Sequence, residues 1–479
     1  MSTKEDTSRC TYCGKLILMN KETALKRNGD FGQGPVALLI AKQALPLTAS
    51  QLAQLVYSLT DRIYIGHIGG NDTTPLTGLG LTFPIVSIIT AFTLLFGQGG
   101  APLFSIARGE GNNKKASDIL YNSFMMLVMA AAVLTLLGYV FMKPLLYQLG
   151  ASDASYPYAA SYLNIYLLGT IFTMLATGLN FYITAQGFPK TAMITVLSGA
   201  FLNMALDPLF IFAFGMGIKG AATATIISQF ASCVWVLLFL TGKKALVPLK
   251  FKGRSLNLHT CGKIISMGFT GFVMEITNAA TQIVCNKTLV KYGKEQSDTY
   301  IMIMTIISSV RSVMSVAVNG ITSGAQPVIG FNYGAKKYDR VKKGIRTMAI
   351  FGFVYTAVAW LIFFLFPGFF ISLFSKDAQA NAMAVPYLHI FFMAYVFMSL
   401  QFAGQSTFMS LGKAPQAIFF SLLRKALLVI PLTIILPMYL ADPISGVFWA
   451  EPVSNIIGGS ASFFTMFFTV YRKLGKESK

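Results

Sequence analysis

The chain has 479 residues, of which 54% are hydrophobic and only 12% charged, and its mean hydropathy is +0.61. That excludes a soluble globular protein, which would carry about 25% charged residues, and points to an integral membrane protein. The formal net charge of +20 would suit a nucleic-acid binder if it formed one patch, but the basic residues cluster in alternate loops, so no nucleic-acid partner is expected.

Residues 1–34 are polar and basic, with no apolar core ahead of a small-residue cleavage site, and read as a cytoplasmic tail rather than a signal peptide. Cys10 and Cys13 form one CxxC there, half of a zinc-ribbon pattern with nothing nearby to complete it. Beyond the tail, apolar runs of roughly 20 residues, enough to cross about 30 Å of hydrocarbon, alternate with short polar loops. They begin near residues 36, 78, 118, 157, 191, 218, 262, 298, 344, 384, 415 and 443. Their length argues for helices, because the strands of a membrane barrel would alternate in segments of about ten residues. The expected fold is therefore an all-α integral membrane protein with twelve transmembrane helices.

Lys114 and Lys115, the run from Lys243 to Arg254, the run from Lys336 to Arg346 and the run from Arg472 to Lys479 fall in alternate loops. By the positive-inside rule these loops and both chain ends are cytoplasmic, as in a multi-pass protein of the plasma membrane. The polar stretch 242–261 reads as a cytoplasmic linker between an amino-terminal lobe, 35–241, and a carboxyl-terminal lobe, 262–471, with 472–479 as a cytoplasmic tail. The lobes resemble each other: Ile218, Gly220, Ala224 and Ser228 fall on Ile444, Gly446, Ala450 and Ser454, and two further segments align in register. Six helices per lobe relate two pseudo-symmetric bundles by an axis along the membrane normal, with a central cleft between them for substrate.

Two acids interrupt apolar helices: Asp61 in LVYSLTDRIYIGHIGG and Asp207 in FLNMALDPLFIF. Carboxylates inside the bilayer are costly, face protein-lined cavities and mark ion or substrate paths. Asn203 and Asp207, four apart, share a helix face. At about 1.5 Å per residue, Asp207 lies about 24 Å from the cytoplasmic start of the fifth helix and Thr225 about 10 Å from the external start of the sixth, so with Asp61 they can meet in the outer half of one lobe. The competing readings are an Asp207 that only bonds a neighbouring helix and an Asp61 paired with Arg62. Arg62, about 100° around the helix, is better placed to snorkel.

QALPLTASQLAQLVYSLTDRIYIGHIGG from Gln43, LNMALDPLFIFAFGMGIKGAATATIIS from Leu202 and GAQPVIGFNYGAKKYDRVKKGI from Gly324 resemble the first helix, the fifth-to-sixth helix motif and the eighth-helix exit of the multidrug and toxic compound extrusion (MATE) transporters, nearest their bacterial MepA/DinF-like branch. The likeness runs over roughly residues 35–472. It implies a non-enzymatic antiporter that exports organic, mainly cationic and amphipathic drugs or metabolites in exchange for Na⁺ or H⁺. It also implies a cation-coupling site at Asp61, Asn203, Asp207 and Thr225, and helix bending at Pro46. Hard oxygens suit Na⁺, whereas a proton needs only the carboxylates. No other cofactor is expected, nor any metal beyond Na⁺ at that site. Membrane lipid and the transported compounds are the expected partners, and the two lobes already complete a cleft, so a monomer is expected.

The carboxyl-terminal lobe departs from the NorM-type pattern, whose seventh and tenth helices each carry an acid: Glu275 lies in the seventh, but the tenth has none. Depth places Glu275 and Arg311 both near mid-membrane, where they can form a structural polar pair or serve a substrate or proton role, and Lys425 and Glu451, on consecutive helices, can neutralise each other. The 22 Met and 40 Phe fit a pliable aromatic cavity, although most of them must face lipid or helix packing. His67, His259 and His389 are scattered, and GQGGAP lacks the lysine of a P-loop, so neither a catalytic cluster nor nucleotide hydrolysis is expected. The alternative function is a flippase for lipid-linked precursors from the wider superfamily, whose cavities are basic where this amino-terminal lobe is acidic.

Overall fold

A computed structural model describes residues 30–66, 68, 74–372 and 378–477. Cys10, Cys13 and His67 lie outside the described residues, as does the side chain of Arg62. Backbone polar groups in hydrocarbon must be satisfied within their own segment, so each apolar run folds as a helix. The first six are α1 (Val36–Gly66), α2 (Thr74–Thr93, continuing through a π turn into Gly99–Gly109), α3 (Asn113–Gln148), α4 (Tyr156–Leu168 and Thr170–Ala185), α5 (Pro189–Pro208, ending in a π turn, Leu209–Ala213) and α6 (Ile218–Thr241). The second six are α7 (Leu258–Gly293), α8 (Ser297–Gly334), α9 (Tyr338–Leu365), α10 (Ala378–Phe392 and Tyr395–Ser410), α11 (Ala414–Tyr439) and α12 (Pro443–Leu474).

Among the described residues nine helices are long and apolar enough to cross a membrane, and the bent pairs of α4 and α10 bring the number to eleven. The twelfth is α7, 36 residues long, whose Lys263, Glu275, Lys287 and Lys291 make it more polar. The expected twelve-helix architecture is present.

Local chemistry sets the helix ends. Asn112 caps α3, accepting from the Lys115 amide at 2.9 Å, and Asn257 caps α7 through Thr260 at 3.0 Å. Asp442 accepts from Ile444 and Ser445 at the start of α12. Such caps satisfy otherwise orphaned amides. The 57° bend of α4 falls at Gly169, where a Cβ would lie 2.4 Å from Ile226 on α6. Pro46 lies inside α1, which runs without a break from Val36 to Gly66. Its missing N–H leaves the Lys42 carbonyl without a helical donor.

The two sets of six helices meet at the end of the bundle that carries Lys115, Arg340 and Arg472, here the basic end. There α2 and α8 touch backbone to backbone: a Cβ on Gly109 would stand 1.9 Å from the Phe331 carbonyl oxygen, and one on Gly334 2.0 Å from that of Ile106. Small residues permit that approach between membrane helices. The segment leading into α1 is clasped by the second set of helices. Arg340 donates to the carbonyls of Phe31, Gln33 and Gly34 at 2.8–3.1 Å, Lys337 to that of Gly32 at 3.0 Å, and Asn332 to that of Phe31 at 2.9 Å. The stretch between α6 and α7 is pinned to the first set: the Val247 amide donates to Gln186 at 3.0 Å, and Arg254 pairs with Asp118.

Candidate functional site

Within the first set of helices, α5 presents Asn203 and Asp207 one turn apart, 2% and 0% exposed, and α6 sets Thr225 opposite them, 5% exposed. With its amide oriented to satisfy both ends, Asn203 donates from Nδ2 to Asp207 Oδ2 at 2.8 Å and accepts at Oδ1 from the Thr225 amide at 3.1 Å. The Thr225 hydroxyl donates back to the Ala221 carbonyl at 3.0 Å, so its oxygen meets the site as an acceptor. Asp61 on α1 is close enough to act electrostatically on Asp207. The four residues read from sequence as one coupling site are therefore neighbours in the structure.

Tyrosines complete the site. The Tyr57 hydroxyl reaches Thr225 and lies beside both acids, and Tyr162 from α4 faces Asp61 and Thr225. These were missed in the sequence, although Tyr57 is one helical turn before Asp61 and so shares its face. No described basic side chain enters this group. Two carboxylates brought together in a low-dielectric site favour sharing a proton or a bound cation. Five oxygen-bearing side chains, Asp61, Asp207, Asn203, Thr225 and Tyr57, suit either. Tyr57→Phe should weaken coupling-ion affinity by roughly 0.5–1.5 kcal/mol, about two- to tenfold, for one lost hydrogen bond; the check is the ion concentration giving half-maximal efflux.

A cavity of about 210 Å³ adjoins the acids, bounded by α1, α2, α4, α5 and α6 and, across the cleft, by Ser323, Gln326 and Pro327 of α8. Asn203, Thr225 and Tyr57 belong to its wall as well as to the acid site. The wall contains Phe181 but no methionine, and its polarity comes from Gln51, Gln54, Asn180, Gln229 and Gln326. Many of the large apolar side chains instead face outward, Phe201 at 65% and Met129 at 51% exposure among them, as a lipid-facing surface requires.

In the second set of helices the pair of Glu275 and Arg311 does not form. Arg311 of α8 points to Glu451 of α12, with Nη1 3.8 Å from Oε1, and Glu275 makes no ion pair among the described residues. Equal depth brought Glu275 and Arg311 to the same height but said nothing of their azimuth around the bundle. The pairing of Lys425 and Glu451 is present at 3.2 Å, joined by Arg424 at 2.9 Å, which also donates to Asn455 at 3.1 Å. Arg424 and Lys425 lie in a π turn, Leu423–Val429, whose wider winding brings successive residues closer in azimuth. His389 is a packing residue, its ring nitrogen 3.2 Å from the Phe364 carbonyl oxygen. No group of three or more His, Cys, Asp or Glu that could hold a metal occurs among the described residues.

An all-α membrane bundle of this organisation is the class of the solved MATE transporters. One of them, an outward-facing multidrug resistance MATE family transporter of the MOP superfamily, superposes with a TM-score of 0.87 at 19% identity, over 94% of this chain and 99% of that one. The chain belongs to the MatE family, whose model matches twice, at residues 46–209 and 266–435, once in each half. The multidrug export protein MepA of Staphylococcus aureus strain MSSA476 is 23% identical over 437 residues, covering 91% of this chain and 95% of that protein. MepA of Staphylococcus haemolyticus strain JCSC1435 is 25% identical over 431 residues, covering 89% and 92%.

Proposed function

We propose that the protein is a secondary active antiporter that exports organic, mainly cationic and amphipathic compounds in exchange for Na⁺ or H⁺ by alternating access, acting as a monomer in the plasma membrane with both chain ends cytoplasmic. The observation that carries the reading is the shared wall. Asn203 bonds Asp207, Thr225 bonds Asn203, and Tyr57 bonds Thr225 within electrostatic reach of both acids, while all three line the cavity. An ion that draws these oxygens inward reshapes the cavity, and a compound filling the cavity alters the ion's ligands, so each changes the other's affinity. The export activity named for the MepA relatives supports the direction of transport. Pro46, with the Lys42 carbonyl released from the helix ladder, is the proposed bending point of α1 when Asp61 is neutralised.

The test is ethidium efflux from proteoliposomes with an imposed Na⁺ gradient or pH gradient. One gradient should drive accumulation against the dye's own gradient and the other should not, which names the coupling ion. Equal dye movement with either gradient collapsed would overturn antiport.

A further inference from the structure

The charged cluster of the second set of helices is unbalanced. Three cations, Arg311, Arg424 and Lys425, converge on the single carboxylate of Glu451, leaving two formal positive charges inside the bundle. Buried charge of one sign without a counter-charge is costly. One donor there also lacks an acceptor among the described residues, the Nε of Arg311.

The members differ in access. Lys425, Glu451 and Arg424 are 3%, 6% and 10% exposed, Arg311 27%. Arg311 also lies on a polar stripe of α8, with Ser315, Asn319 and Ser323 at intervals of four residues, and Ser323 lines the cavity. A polar stripe at helical spacing marks one face, so the stripe leads from the cavity toward Arg311.

We propose that Arg311, backed by Arg424 and Lys425 and anchored by Glu451, receives the carboxylate of an organic anion or zwitterion, so that the protein has an anion-recognising site in its second half apart from the acidic site in its first. The excess charge supplies the attraction, the guanidinium supplies the fork geometry that matches a carboxylate, and its Nε is a donor still open. The proposal names a substrate class for the transporter and rests on the export reading for its physiological use, though not for binding.

The experiment compares rhodamine B, which carries a free carboxylate, with its ethyl ester, by dye anisotropy on the purified protein in nanodiscs with empty discs subtracted. The wild type should bind the carboxylate dye, and excess acetate should displace it but not the ester. Arg311→Gln should weaken the carboxylate dye about tenfold, as for loss of a charge-assisted contact, and leave the ester within about twofold, the retained ester binding showing that the variant is folded. Arg311→Lys should restore part of the loss. Equal weakening of both dyes, or no acetate competition on the wild type, would overturn the site, and the second reading needs no variant to fold. Carboxylate-selective binding without gradient-driven efflux of either dye would support the site and remove the export reading. Efflux of the ester with no charge-selective binding would do the reverse.

Discussion

Asp61→Asn and Asp207→Asn should each abolish gradient-driven ethidium efflux while leaving the protein folded. Asparagine keeps the size and hydrogen-bonding reach of aspartate but cannot carry the charge that a proton or Na⁺ neutralises. A hydrogen bond or ligand contact to a charged group is worth about 1.5–3 kcal/mol, so loss of either carboxylate should weaken ion binding by roughly ten- to hundredfold. Under the proposed mechanism the two act on one ion, so the double variant should be little worse than either single one. Initial efflux rates in proteoliposomes, with size-exclusion profiles as the control for folding, provide the measurement. Efflux surviving in both variants at wild-type rate would remove the acid pair from the coupling mechanism.

Glu451→Gln should have the largest effect on stability. It leaves three cations converging where one carboxylate had accepted from Arg424 and Lys425, and removal of one partner from a buried charge group costs about 3–5 kcal/mol. The folded yield in detergent and the apparent melting temperature should fall sharply. Adding Lys425→Met, which removes one cation and keeps the aliphatic volume, should recover part of the loss. Glu275→Gln is the contrast: Glu275 has no ion-pair partner among the described residues, so the same chemical change there should leave the melting temperature close to wild type. Equal losses at 275 and 451 would show that the ion contacts of Glu451 add nothing.

Much of this was legible in the sequence because the lipid imposes a one-dimensional grammar. Apolar length gave the helices, including α7 with its charges, and rise per residue set Asp207 and Thr225 at matching heights on consecutive helices. Lys425 and Glu451 were readable for the same reason. Arg311 shows the limit, since height along the membrane normal is a coordinate of the chain whereas azimuth depends on how twelve helices cross. The π turn at Leu423–Val429, which brings Arg424 into the cluster beside Lys425, has no strong mark in the sequence. Composition could not name the cavity wall, because counts of Met and Phe do not distinguish residues that meet lipid from those that meet a cargo. Tyr57 could have been found from its spacing to Asp61, but a tyrosine in a membrane helix is ordinarily read as packing.

The clasp on Asp30–Pro35 gives α1 two owners. Its body packs on α5 of the first half and also on α8 of the second, where a Cβ on Gly320 would stand 2.0 Å from Thr48 and one on Gly324 2.7 Å from Ala44, while the segment leading into it is held by Arg340, Lys337 and Asn332 of the second half. If the halves separate, either these contacts break or α1 deforms between the part held by the second half and the part from Tyr57 onward that faces Thr225 and the acids of the first. Pro46, about 15 Å into the helix at 1.5 Å per residue, lies between Ala44 and Thr48 in the part held by α8 and marks its turn with a hydrogen bond already missing. The helix thus belongs to both halves, and any movement of one against the other is felt along it before it reaches Asp61.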